Sequence, residues 1–289
     1  METLRILDKI YSYQDLAPLL SAPKKILIDN KSKQRINESY KKLDEIILSG
    51  ETIYGVNTGF GRLSQIKINK ADQKKLQLNL VRSHAAGIGN NLDIGIVRIA
   101  MTLKLISYAR GYSGVHPDTV SQLIQFLNND MIPVVPERGS VGASGDLAPL
   151  AHIACSLIGE GKLIHNNKIV SSKTVLKKMS IKPLILHQKD GISLVNGTQI
   201  STAIAIKSLH NCDIILNSAD AIGALSVETS LSSRKTFQSS IHRLKKHRGQ
   251  IISARNIWKM TKNSDVVSSH KDCSVVQDPY SFRCIPHVH

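Results

Sequence analysis

Between Gly197 and Leu231 the chain runs without a proline and with apolar residues on nearly every side. Such a stretch reads as one long, mostly buried helix, and a helix that is apolar all round needs neighbours all round. The expected fold class is therefore mainly α, with this helix opening a central bundle. Other helices are predicted around it. From Ser32 to Ser49, Ile36, Tyr40, Leu43, Ile46 and Ile47 form one stripe that stops at Gly50. From about Ala71 to Ala86, Leu76, Leu80 and His84 stand at successive i+4 positions, and residues 93–110 and 118–128 read as structural helices. Strand is minor. Asn166-Asn167 between Lys162–His165 and Lys168–Val170 reads as a small hairpin, and Met131 to Pro136 as a short extended run.

Composition narrows the class. With 289 residues, 42% hydrophobic and 21% charged, the chain can build a large core or two domains. Met1-Glu2-Thr3-Leu4 lacks the basic and apolar regions of a secretory signal. Lys207, Asp213 and Asp220 interrupt even the greasiest segment, so no membrane span is expected. Cys155, Cys212, Cys273 and Cys284 are few and scattered, which predicts free thiols in a cytoplasmic protein. His270-x-x-Cys273 and Cys284-x-x-His287 have ligand-like spacing, but a stronger motif occupies the segment between them and no metal is expected. The net charge is +16, and residues 229–264 hold nine Lys or Arg and no acid. Without interleaved aromatics that run reads as a solvated face and not as a nucleic-acid surface.

The chemistry concentrates in residues 139–152, Gly-Ser-Val-Gly-Ala-Ser-Gly-Asp-Leu-Ala-Pro-Leu-Ala-His. Ala143, Ser144 and Gly145 stand directly before Asp146, a preferred N-cap, and before a helical repeat with Pro149 in its first turn. That places the tripeptide at the positive end of a helix, where developing negative charge is favoured. The spacing is not that of a nucleophile elbow, a dinucleotide fingerprint or a phosphate loop. Residue chemistry permits something else. Gly145, lacking a Cβ, lets its nitrogen approach the Ala143 carbonyl, and the Ser144 hydroxyl can leave as water. Cyclisation and dehydration would then yield an electrophile made of backbone.

Those fourteen residues closely resemble the signature of the aromatic amino-acid ammonia-lyases, the histidine-specific branch in particular. The resemblance implies that Ala143-Ser144-Gly145 become a 4-methylideneimidazol-5-one (MIO) prosthetic group, with no metal or nucleotide. Three further blocks follow in the family's order. Tyr54-Gly55-Val56-Asn57-Thr58-Gly59-Phe60-Gly61 resembles the block whose tyrosine is a catalytic acid or base. Leu194-Val195-Asn196-Gly197-Thr198-Gln199 resembles the block whose asparagine lies beside the prosthetic group. Gln277-Asp278-Pro279-Tyr280-Ser281-Phe282-Arg283-Cys284 resembles the block whose arginine pairs with the substrate carboxylate and whose tyrosine sits near the reacting atoms. Ser83-His84 resembles the substrate-selectivity position, where an imidazole can hydrogen-bond the substrate ring.

By resemblance, the expected catalytic residues are Tyr54, Ala143, Ser144, Gly145 and Tyr280, and the expected substrate-binding residues are His84, Asn196, Gln277 and Arg283. The implied reaction is loss of ammonia from L-histidine to give urocanate. The alternatives are a tyrosine aminomutase, a tyrosine ammonia-lyase or an inactive remnant. Two domains are expected, residues 1–195 bearing the prosthetic group and 196–289 an incomplete helical bundle. Family members are considerably longer and tetrameric, so the resemblance implies an N-terminal portion, poorly soluble or inactive alone.

Overall fold

The structure, a computed structural model, describes every residue except Met1, Ala143, Ser144, Lys271 and Cys273, and the side chain of Leu63. Helix takes 56% of it and strand 10%, the mainly α composition that the long apolar stretch predicts. Strands β1 (Thr3–Ile6) and β2 (Lys25–Ile28) pair in parallel, Thr3 opposite Lys25 through Ile6 opposite Ile28. Between them, α1 (Tyr13–Leu16) is closed by a capping box: Ser12 Oγ accepts the Asp15 N–H at 3.3 Å and Asp15 accepts the Ser12 N–H at 2.8 Å. Helix α2 (Asn30–Leu48) begins two residues before its predicted start, because Asp29 caps it by accepting the Ser32 N–H.

Helix α3 (Gln73–His84) departs from its predicted face. Its buried positions are Gln73, Gln77, Leu80 and Val81, while Leu76 is only half-buried. Gln77 is inside because its amide bridges two other segments by hydrogen bonds, which hydrophobic periodicity cannot register, whereas the buried Oε1 of Gln73 has no hydrogen-bond partner among the described residues. After β3 (Ile88–Asn91) comes α4 (Ile94–Ala109), buried at almost every position from Gly95 onward. It is the axis of the first core. Against it packs α5 (Pro117–Asn128), and Leu105 of α4, Leu123 and Phe126 of α5 and Met131 beyond it are all essentially inaccessible. Truncating Leu105 to Ala there would cost about 2–5 kcal/mol in lost transfer energy and cavity. The buried Arg98 on the same helix is satisfied by the Leu19 carbonyl at 2.8 Å and by Asp130 at 2.9 Å.

Strand pairing then sets the loop positions. β4 (Ile132–Pro133) and β5 (Pro136–Arg138) precede α6 (Leu147–Leu157). β5 pairs antiparallel with β3, Ile88 opposite Arg138, which brings the segment after His84 alongside the segment entering the glycine-rich loop. β4 pairs with β6 (Lys162–His165), which forms the expected hairpin with β7 (Lys168–Ser171) over Asn166 and Asn167, both at positive φ. Helices α7 (Ser172–Lys178), α8 (Asp190–Val195) and α9 (Gln199–Thr229) follow.

The chain divides into two units, Met1–Ser208 and Leu209–His289, with the division inside α9. The first unit extends past residue 195 because Ile200, Ala203 and Ile206 of α9 are buried in its core. The second unit adds α10 (Ser239–Arg243), α11 (Arg248–Met260), α12 (Asp265–Ser269), α13 (Tyr280–Arg283) and α14 (Ile285–Val288). Its core is Ala224, Val227, Phe237, Ile257 and Ile285. The Arg234 guanidinium lies 3.6 Å over the Trp258 ring centroid beside that core. Helix α9 is less covered than its apolar circumference predicts: Ile215 and Ile222 are each 65% exposed in this chain. Cys155, Cys212 and Cys284 are free thiols, whereas Cys273, with the ligand-like spacing drawn from it, lies outside the described residues. Among the described residues, no helix is long and apolar enough to cross a membrane.

Candidate active site

The glycine-rich loop leaves β5 at Gly139 and closes on itself. Gly142 and Gly145 form an antiparallel bridge, and the Gly145 N–H points at the Gly142 carbonyl at 3.4 Å. Ala143 and Ser144, expected as two parts of the electrophile, lie outside the described residues. Gly145 itself is buried with φ +104°, and a Cβ there would stand 2.5 Å from the Gly197 carbonyl oxygen. Both conformation and space therefore demand glycine. Next in the chain, the Asp146 N–H donates to that same Gly197 carbonyl at 2.7 Å.

Asp146 occupies the N-cap position of α6, but its side chain does not cap the helix. It is fully buried and turns instead to Ser140 and Ser201. Its Oδ1 accepts from the Ser140 hydroxyl at 2.8 Å and the Ser201 hydroxyl at 2.5 Å, and its Oδ2 from the Ser201 N–H at 2.8 Å. The carboxylate thus ties both ends of the loop to the first turn of α9. The loop still lies at the N-terminal end of α6, where the unpaired N–H groups and the helix dipole favour negative charge.

Behind Gly197 stands α8, whose C-cap is Asn196. The Asn196 residue is exposed, while its carbonyl accepts from Lys104 Nζ at 2.7 Å. Lys104 lies on α4, is 4% exposed, and also donates to the Ser193 carbonyl at 2.9 Å, which accepts from the Tyr108 hydroxyl at 2.8 Å. Burial pushes the Lys104 ammonium down to about 7, partly opposed by the charge of Asp146. Burial, reinforced by Asp190, raises the Tyr108 phenol well above its ordinary value, so it stays a neutral donor. At the other end of α8, Asp190 is buried and accepts the backbone N–H groups of His116 and His187, each within 2.9 Å. His116, Asp118 and His187 bring three donor atoms within 4.8 Å of one another. Their geometry suits a metal poorly: the two rings stack face to face at 3.7 Å, so their in-plane lone pairs run parallel, and His116 Nδ1 accepts the Asp118 N–H.

Tyr54 sits in the glycine-rich turn predicted for residues 54–61. It is 57% exposed, its hydroxyl accepts the Gly61 N–H at 3.2 Å, and its ring meets Phe60 edge-on. The turn is locked to α8 through Gln77, whose amide donates to the Gly55 carbonyl at 2.8 Å and accepts the Ile192 N–H at 3.0 Å. A Cβ at Gly55 would also run into Phe60 and Ile192. His84 ends α3, half-buried, with Nδ1 2.9 Å from the Leu80 carbonyl. A carbonyl only accepts, so Nδ1 carries the hydrogen and Nε2 of the neutral ring remains an acceptor. Three residues on, the Gly87 N–H donates to His152 Nε2 at 3.0 Å, and burial lowers the His152 pKa, keeping that acceptor neutral. The last histidine of the fourteen-residue block therefore anchors the His84 segment to α6.

In the first unit, then, the Tyr54 turn, His84, Gly145 and Asn196 are knit together through Gln77, His152, the Gly197 carbonyl and Lys104. Sequence reasoning assigned none of those four connections. For Lys104 the available clue was a lysine between Leu103 and Leu105 in a largely apolar helix. Gln277, Tyr280 and Arg283 belong to the second unit. Gln277 is exposed, Tyr280 is 72% exposed at the start of α13, and Tyr280 and Arg283 line a small cavity of about 140 Å³ with His242, Cys284 and His287.

The fold and this loop define a mainly helical protein that presents a glycine-rich turn, locked through its own backbone, at a helix N-terminus. The profile described as aromatic amino acid lyase matches residues 11–289, and the chain belongs to that family. It is 42% identical over its whole length to the histidine ammonia-lyase of Aliivibrio fischeri strain ES114, covering 57% of it. It is 43% identical over 96% of its length to that of Vibrio cholerae, covering 54%. Among solved structures, histidine ammonia-lyase from Trypanosoma cruzi superposes with a TM-score of 0.86 at 30% identity, over all of this chain and 53% of that one. Ergothionase from Treponema denticola superposes at 0.92 with 26% identity, over 99% of this chain and 57% of that one. The chain spans about half the length of the curated relatives it matches.

Proposed function

We propose that this chain serves a histidine ammonia-lyase, which removes ammonia from L-histidine without oxidation to give urocanate. The observation that carries the reading is the seat of Gly145: buried, at positive φ, pressed on the Gly197 carbonyl, ahead of a helix N-terminus. That seat fits an MIO group formed from Ala143, Ser144 and Gly145, since only glycine fits it and the oriented helix favours the charge such a group takes up. Once formed, the group supplies an electrophile that draws electron density from the substrate. The substrate loses a proton from Cβ and ammonia from Cα; the C–H electron pair becomes the new double bond and the C–N pair leaves with nitrogen.

The chain's own residues take the remaining roles. Tyr54, an accessible phenol, handles the β-proton or the leaving group. His84 offers Nε2 to an N–H of the substrate imidazole. Arg283 pairs with the carboxylate, and Asn196, Gln277 and Tyr280 line the site. The protein works in the cytoplasm as a homotetramer, and the exposed apolar side of α9 is consistent with such partners. Residues 1–195 carry its prosthetic-group domain, to which the first turns of α9 add core residues, and 196–289 open its bundle. A tyrosine-specific aminomutase is the second reading, because an acceptor at His84 Nε2 also suits a phenol hydroxyl, and tyrosine aminomutase from Streptomyces globisporus superposes at a TM-score of 0.91 with 28% identity.

The test uses protein expressed from its complete coding sequence. Histidine should yield ammonia and an absorbing α,β-unsaturated acid in equal amounts, and the intact mass should fall by two waters. A β-amino acid from tyrosine would favour the second reading. An unmodified mass with no ammonia released would remove the enzyme assignment.

A further inference from the structure

Two consecutive peptide carbonyls, those of Asn196 and Gly197, are held by different segments, one by a helix and one by the glycine-rich loop. The Gly197 carbonyl takes the Asp146 N–H of the glycine-rich loop at 2.7 Å, while the Asn196 carbonyl takes Lys104 Nζ of α4 at 2.7 Å. Lys104 is also bonded at 2.9 Å to the Ser193 carbonyl, one turn earlier in the same short helix. A long, charged side chain buried to 4% exposure in an apolar helix is costly, and its bonds go to backbone oxygens rather than to a carboxylate. Its charge complements the carbonyl end of α8.

We infer that Lys104 is a positioning residue, which grips the Ser193 and Asn196 carbonyls from behind and thereby sets both the direction of the Asn196 side chain and the Gly197 carbonyl on which Gly145 and Asp146 rest. This rests on the reading of Asn196 as a site residue. Two N–H donors are needed; an ammonium has three and a neutral amine two, so the grip survives the loss of a proton. Tyr108 shares the Ser193 carbonyl but does not bond Asn196, so it cannot substitute for Lys104.

The decisive experiment is a double-mutant cycle in protein expressed from the complete coding sequence, with backbone hydrogen exchange of residues 193–201 alongside. Lys104→Met should lower kcat by about tenfold or more, with KM within about threefold, as expected for a misplaced group near the reacting atoms. In an Asn196→Ala background the same change should cost less than about twofold, because the residue through which Lys104 acts is gone. Exchange at residues 196–199 should accelerate in Lys104→Met, while Tyr108→Phe leaves it and kcat unchanged. Should Lys104→Met fail to fold, Lys104→Gln, which stays polar but whose shorter side chain cannot reach both carbonyls, runs the same cycle. Equal losses in both backgrounds, or unchanged exchange, overturn the inference. If the wild-type protein releases no ammonia from histidine, the functional reading falls by itself. The exchange comparison then decides the role of Lys104 alone.

Discussion

Lys104 should make the stability of the first unit depend on pH in a defined direction, and Lys104→Met should remove that dependence. In the folded chain burial brings the Lys104 pKa down to about 7, against 10.5 for an ordinary lysine. Between those values the unfolded chain holds a proton that the folded chain has released. Folding is then favoured by rising pH, by about 1.4 kcal/mol per unit. Below about pH 7 both states carry the proton, the burial penalty is fully present, and this residue adds no slope. From pH 7 to pH 9 the wild type should therefore gain about 2–3 kcal/mol relative to Lys104→Met, whose methionine has no charge to lose. Subtracting the variant removes the histidines and tyrosines that titrate in both proteins. Urea midpoints followed by far-UV circular dichroism at pH 6, 7, 8 and 9 supply the comparison. Fluorescence would report the wrong unit, since the sole tryptophan, Trp258, lies in the second. A difference that stays flat from pH 7 to 9 would mean that Lys104 keeps an ordinary pKa and is reached by water, refuting the burial argument.

Other expectations can be checked with the same tools. Gly145→Ala should cost about 1–3 kcal/mol of stability from its positive φ alone, with more from the contact on the Gly197 carbonyl, and should abolish the two-water mass loss. Asp146→Ala leaves two serine hydroxyls and the Ser201 N–H without their acceptor; a loss of about 2–4 kcal/mol in urea unfolding is expected, and a change under 0.5 would contradict the network. His84→Phe removes the Nε2 acceptor and should raise KM for histidine by roughly tenfold or more, with the protein still folded. In the second unit, burial raises the Asp220 pKa, but hydrogen bonds from Ser253, His289 and Asn256 together outweigh it and lower the carboxyl below 3.8. A depressed carboxylate stabilises above its unfolded pKa and loses that contribution as pH falls through the folded value. Asp220→Asn should therefore flatten the acid limb of Trp258-detected unfolding below about pH 4.

How much of this was legible beforehand differs by feature. Helix periodicity located α2, α4 and α5 within a few residues, and Asn166-Asn167 located the hairpin, because local backbone preferences decide those features. The same periodicity misread α3. It aligned Leu76, Leu80 and His84 on one face, of which only Leu80 is buried, and did not register the buried Gln73 and Gln77. Gln77 is held inside by its amide's partners, and Gly55 and Ile192 are distant in sequence from it. Asp146 was similar: its place before a helix reads as a cap, yet two serines on either side of it claimed the carboxylate.

Sequence by itself settled what depends on near neighbours along the chain: a mainly α chain, a glycine-rich turn before a helix, and an ordered set of blocks that resembles one enzyme family. Tertiary structure alone decided what depends on convergence. It brought Gly197 against Gly145, turned Lys104 and Gln77 inward to hold carbonyls, and made His152 the anchor of the His84 segment. The physical reason is that a backbone preference is a property of a few adjacent residues, whereas a buried donor is tolerable only if an acceptor arrives from elsewhere in the chain.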